Sequence, residues 1–124
     1  MTGSTAQHDP LLMLIEQFRL KINAHPMRDA LLRKWTPEVE VHARDTGERY
    51  TTAVRDGYFG PVVTGAASGS HVVLLEASAE CLVSVFSGLK DSASAYFDGS
   101  LSVFASDVDH VRLDALADAV WGTA

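Results

Sequence analysis

HVVLLEASAECLVSVFSGLKDSASAYFDGSLSVFAS, residues 71–106, is the stretch whose reading decides the fold. His71 to Ala77 has a nearly continuous apolar centre, as expected of a central strand covered on both faces. Ser78 can accept from the first free N–H groups of a helix carrying Leu82, Val85, Phe86 and Leu89. That helix ends near Gly88, where a residue tolerant of positive φ is wanted. Asp91 then caps a short helix, Ser92 to Phe97. Asp98-Gly99 turns the chain into Ser100 to Ala105, where Leu101, Val103 and Ala105 share a face. A strand with one apolar face joins the same sheet.

Outward from this stretch the elements multiply. Towards the C-terminus, Ser106-Asp107-Val108-Asp109 has capping-box spacing with Asp in place of the usual Glu. Val108, Leu113, Leu116, Ala117, Val120 and Trp121 follow at helical period. Towards the N-terminus, residues 56–70 hold four glycines and a proline, too many for a regular element, although Pro61 to Thr64 suits a short edge strand. Tyr58 and Phe59 stand in that loop as a lid, a membrane contact or, preferentially, inward-folded core. Before it, Val39, Val41 and Ala43 alternate with Glu38, Glu40 and His42, a strand with one buried and one wet face. The turn residues Asp45 to Glu48 and the Thr-, Tyr- and Val-rich segment to Arg55 complete a hairpin. Pro26 to Trp35 reads as a helix with Met27, Ala30, Leu31 and Trp35 on one side, stopped by Thr36-Pro37. Asp9-Pro10 starts an earlier helix, whose stripe is Leu11, Leu14, Ile15, Phe18 and Ile22. Residues 1–8 are expected to be a disordered tail and 9–124 one domain.

Composition narrows the classes of function. The chain has 124 residues, 47% of them hydrophobic and 21% charged, as in an ordinary globular domain. Its net charge of −6 has the wrong sign for neutralising a phosphate backbone, so no nucleic-acid partner is expected. One cysteine, Cys81, excludes an intrachain disulfide and a cysteine-rich zinc site, and suits a reducing, cytoplasmic setting. The opening residues carry neither a basic n-region nor an apolar run long enough for a signal or a span.

Gly88 to Val103, GLKDSASAYFDGSLSV, resembles the sterol carrier protein type 2 family: a helix ending in Gly, a short helix with an Ala-aromatic pair, Gly, then an apolar-alternating strand. The resemblance extends over residues 70–121 and, in the first half, to the order of elements alone. The sequence departs from the pattern at Ser92, where a proline is common, and at Ala105, where a glycine often closes the strand. The resemblance implies an α+β single domain with a mainly antiparallel sheet of about five strands, helices on one side, and an apolar lipid-binding tunnel between the layers.

Burial in such a cavity removes an acyl chain or sterol from water at about 25 cal/mol per Å² and requires no catalytic group. The expected lining is Leu82, Val85 and Phe86 on one helix, Tyr96 and Phe97 on the next, Leu101 and Val103 on the strand, and Leu113, Leu116, Val120 and Trp121 on the last helix. The partner is then a hydrophobic, lipid-like small molecule taken up through transient membrane contact, with no cofactor and no metal. The alternative is a protein-interaction module on the same fold, using the sheet face or residues 56–70. A third reading, a small hydrolase or isomerase using His42 or His71 with a carboxylate, ranks below both. His8, His25, His42, His71 and His110 form no metal spacing. Cys81 reads as a small buried hydrophobe and residues 65–70 as a flexible loop without the lysine of a phosphate-binding loop. Asp107 and Asp109 suit a helix N-terminus, and Asp114 and Asp118 a solvated face.

Overall fold

The computed structural model describes residues 10–122. The tail expected at 1–8, His8 within it and the Asp9 cap lie outside the described residues. The elements run α1 (Pro10–Asn23), α2 (Arg28–Leu32), β1 (Glu38–Ala43), β2 (Arg49–Arg55), β3 (Tyr58–Phe59), β4 (Val63–Thr64), β5 (Val72–Ala77), α3 (Ala79–Phe86), α4 (Ser92–Phe97), β6 (Ser102–Phe104) and α5 (Asp107–Trp121). Three caps form as their residue types require: Ser78 Oγ accepts from Cys81 N, Asp91 Oδ2 from Ser94 N, and Ser106 Oγ from Asp109 N.

The sheet is open, in the order β3-β2-β1-β5-β6, with β4 also paired to β2. It is mixed: β1 and β5 run parallel at its centre, while every other pairing is antiparallel. Parallel neighbours need a crossover, and residues 65–70 supply it across the face away from the helices. There Thr51 Oγ1 donates to Gly65 O at 2.8 Å, Ala67 N donates to Glu40 Oε1 at 3.1 Å, and Gly69 N donates to Glu38 Oε1. Gly69 lets this approach occur, since a Cβ there would stand 2.4 Å from that carboxylate oxygen and the Glu38 side chain would have to move aside.

The crossover corrects the reading of β1 as half wet. Val39, Val41 and Ala43 are buried as expected, in register with Val73, Leu75 and Ala77 of β5. Glu40, on the opposite face, is only 5% exposed, because the crossover covers it and Arg49 pairs with it. His42 is half-buried, with Nδ1 2.8 Å from Glu76 Oε2.

The second helix is also shorter than its sequence suggests. Arg33 leaves the helix with extended backbone and Lys34 follows at a φ of 53°, so α2 ends at Leu32 and Trp35 lies buried. Leu32 is therefore the buried residue, while Met27 and Ala30 face solvent. Two further stripe positions are exposed: Leu89 because the chain leaves α3 at Phe86, and Val108 because it sits on the outer side of the first turn of α5. Phe59 folds inward, whereas Tyr58 stays outside beneath the Arg28 guanidinium, 3.8 Å from its ring centroid.

Between sheet and helices lie two apolar clusters. One gathers Leu11, Ile15, Val41, Leu82, Phe86 and Leu101, the other Ile22, Leu32, Trp35, Val73 and Leu116. Phe18 and Leu75 pack against both.

Candidate ligand cavity

A cavity of about 700 Å³ lies between the two clusters. The sheet floor is built from inward positions, Val39 and Val41 on β1, Leu75 on β5 and Val103 on β6. Its walls are Ile15 and Phe18 of α1, Leu82, Val85 and Phe86 of α3, and Leu113, Leu116 and Trp121 of α5. Residues 88–93 and α4 form the rim.

Ten of the eleven expected residues border this space: Leu82, Val85, Phe86, Tyr96, Phe97, Leu101, Val103, Leu113, Leu116 and Trp121. Leu82, Val85, Phe86, Leu101 and Leu116 are buried in the wall; Tyr96 and Phe97 are exposed at the rim, Phe97 at 83%. Val120 is placed elsewhere, packed one helical turn beyond Leu116 into the second cluster. Sequence reasoning missed Ile15, Phe18, Val39, Val41, Phe59 and Leu75. Their apolar periodicity was readable, but nothing local says that a stripe faces a void instead of another side chain.

The inner wall is aromatic. Phe18 is central, with ring centroids 5.1 Å from Trp121, 5.7 Å from Phe86 and 6.2 Å from Phe59. Gly88, at φ 81°, lies against Trp121 so closely that a Cβ would stand 3.2 Å from its Cδ1. The Thr52 hydroxyl borders the cavity but already donates to Gly60 O at 2.8 Å. Polar character is concentrated at the rim, where Lys90, Asp91, His110, Asp114 and Asp118 stand. The arrangement borders an apolar space and leaves charge at its rim.

The histidine–carboxylate pairs lie away from this space. His42 and Glu76 meet on the outer sheet face. His71 Nε2 lies 2.9 Å from Asp109 Oδ2, and Trp35 Nε1 donates to Asp109 Oδ1 at 2.7 Å. Burial pushes the Asp109 carboxyl up, but bonds from Trp35 and His71, the charge of His71 and the Ser106 contact together hold it below the ordinary aspartate value. Asp109 is thus an internal tether between α5, Trp35 and the start of β5, beyond its expected place in a capping box. His110, at the cavity rim, packs edge-on against Tyr96 at 5.5 Å. Among the described residues no three His, Cys, Asp or Glu side chains gather as a metal site. None of the described helices is long and apolar enough to cross a membrane.

No protein-family model matches the sequence, and no curated protein matches it. Solved structures do. UbiJ-SCP2, a ubiquinone synthesis protein, superposes with a TM-score of 0.62 at 19% identity, over 83% of this chain and 88% of that one. Palmitated SCP2L2 from Aedes aegypti also gives 0.62, at 13% identity, over 89% of this chain and 93% of that one. A double mutant of the sec-alkyl sulfatase PisA1 gives 0.60 at 11% identity, and here the chain spans only 14% of the matched protein's length. The sterol-carrier matches run nearly end to end on both sides, and they share the α+β layering and the mixed open sheet. The chain has the fold of sterol carrier protein 2.

Proposed function

We propose that this chain binds a hydrophobic, lipid-like ligand in the cavity between its sheet and helices and releases it without catalysis, as a cytoplasmic carrier. The observation that carries the reading is the cavity of about 700 Å³ with an apolar floor and walls, within the size range of small-molecule sites. Burying an acyl chain there is favourable at about 25 cal/mol per Å², and the charged residues among the described lining stand at the rim. A fold neighbour described as palmitated supports a fatty acyl ligand. The exposed Phe97 and Leu89 beside the opening suit brief contact with a bilayer during loading.

Titration with an environment-sensitive neutral apolar dye, then displacement by unlabelled acyl chains and sterols, tests the reading. One saturable, displaceable site per chain is the expected result. Absence of binding by folded, delipidated protein overturns it. Leu116→Trp fills the space from α5 and should lower affinity at least tenfold in a folded variant. A folded variant with unchanged affinity would remove Leu116 from the lining. Unfolding would mark it as plain core, where overpacking costs about 1–3 kcal/mol.

A further inference from the structure

The opening of the cavity is a slot with unlike walls. On one side Leu89 and Phe97 stand at 85% and 83% exposure, with the Tyr96 ring 5.7 Å from that of Phe97. On the other, Asp114 and Asp118 follow His110 one and two helical turns along α5, on the same side of that helix. The walls meet at both ends, His110 against Tyr96 at 5.5 Å and Trp121 against Gly88. From His110 to Trp121 α5 rises about 16 Å at 1.5 Å per residue, or about three turns. We propose that this slot is the docking site for a basic amphipathic helix of a partner protein, whose apolar face lies on Leu89 and Phe97 and whose lysines or arginines reach Asp114 and Asp118.

Large apolar side chains this exposed, gathered at one opening with polar residues around them, mark an interaction surface. Charge decides what covers them. Among the described lining residues the acids are Asp91, Asp114 and Asp118, and the one cation is Lys90, which rests 3.2 Å from Asp98 Oδ2. Asp114 and Asp118 enter no ion pair among the described residues, so both carboxylates are open to an arriving cation. An anionic bilayer would set its own negative charge against them. A second copy of this chain, at a net charge of −6, brings the same sign. A helix with one apolar and one cationic face meets both walls at once. Docking there does not require the cavity to hold a lipid.

Calorimetric titration with a helical leucine–lysine peptide of about four turns tests the assignment, with leucine–glutamate and serine–lysine peptides of equal length as controls. One saturable site per chain is expected for leucine–lysine, at least about tenfold tighter than for either control. The double variant Leu89→Ser with Phe97→Ser should weaken it at least about tenfold, and Asp114→Asn with Asp118→Asn about fivefold. Asp29→Asn with Asp56→Asn removes the same charge from exposed positions outside the lining and should leave affinity within about twofold. Thermal melts confirm that each variant folds. In the parent chain, which needs no variant, peptide-induced amide shifts should fall on residues 88–97 and 110–121; shifts elsewhere overturn the placement. Equal loss in the remote pair, or serine–lysine binding as well as leucine–lysine, would reduce the effect to net charge and overturn the site. Phosphatidylcholine vesicles binding where the peptide does not, with loss in Leu89→Ser and Phe97→Ser, would make the slot a bilayer contact and overturn it too. No binding of any probe also overturns it. Peptide binding without displaceable lipid overturns the cavity reading alone.

Discussion

Asp109 shows how one side chain can do two structural jobs. Its backbone N–H is held by Ser106, while its carboxylate leaves the helix end to bind the Trp35 indole and His71. Because its carboxyl is held below the ordinary value in the folded chain, its contribution to stability is complete above the unfolded pKa of about 3.9 and is lost as pH falls through the lower folded value. Asp109→Asn should therefore be less stable than the parent at pH 7, with the gap closing below about pH 4. Chemical denaturation at several pH values measures this. Trp35→Phe leaves the buried carboxylate one donor short and should cost about 1–3 kcal/mol at neutral pH. Neither group touches the cavity, so affinity for an apolar ligand in folded variants stays that of the parent.

Between elements, the decisive piece is the crossover at 65–70. Glu40→Ala removes the acceptor for Ala67 N and the partner of Arg49. It should destabilise the fold by about 1–3 kcal/mol and speed amide exchange at Ala67 and Gly65, while exchange in α3 changes little. Exchange mass spectrometry separates the two. This segment also marks where sequence reading stops. The hairpin, β5, β6 and four helices were legible because period, caps and turn residues are local signals, as the Ser78, Asp91 and Ser106 bonds attest. The parallel pairing of β1 with β5 was not, because no local pattern says which strands become neighbours. Glu40 was misread as wet for the same reason: its burial comes from amides far along the chain. The α2 helix was overextended because it ends in extended backbone at Arg33 and a positive φ at Lys34 ahead of the buried Trp35, and no local residue type marks that break. Ten of eleven expected lining residues border the cavity because they come from one contiguous run of elements, α3 to α5. The walls contributed by α1 and β1 needed the folded chain.

For the whole molecule, a void between two cores leaves packing unused in the empty state. Ligand that binds only the folded chain stabilises it by mass action, by about 2.7 kcal/mol at a hundredfold excess over Kd. A domain of this size should then gain several degrees in Tm, readable by calorimetry, and the gain should fall by about half or more in Leu116→Trp. The two tryptophans are divided by the same architecture. Trp35 is sealed in the second cluster, while Trp121 stands in the cavity wall against Phe18 and Gly88. One indole is therefore a constant optical background, and the other changes surroundings whenever the space fills. On the carrier reading Trp121 is a built-in fluorescent gauge of occupancy, and a change in its emission on adding an acyl chain is the expected outcome.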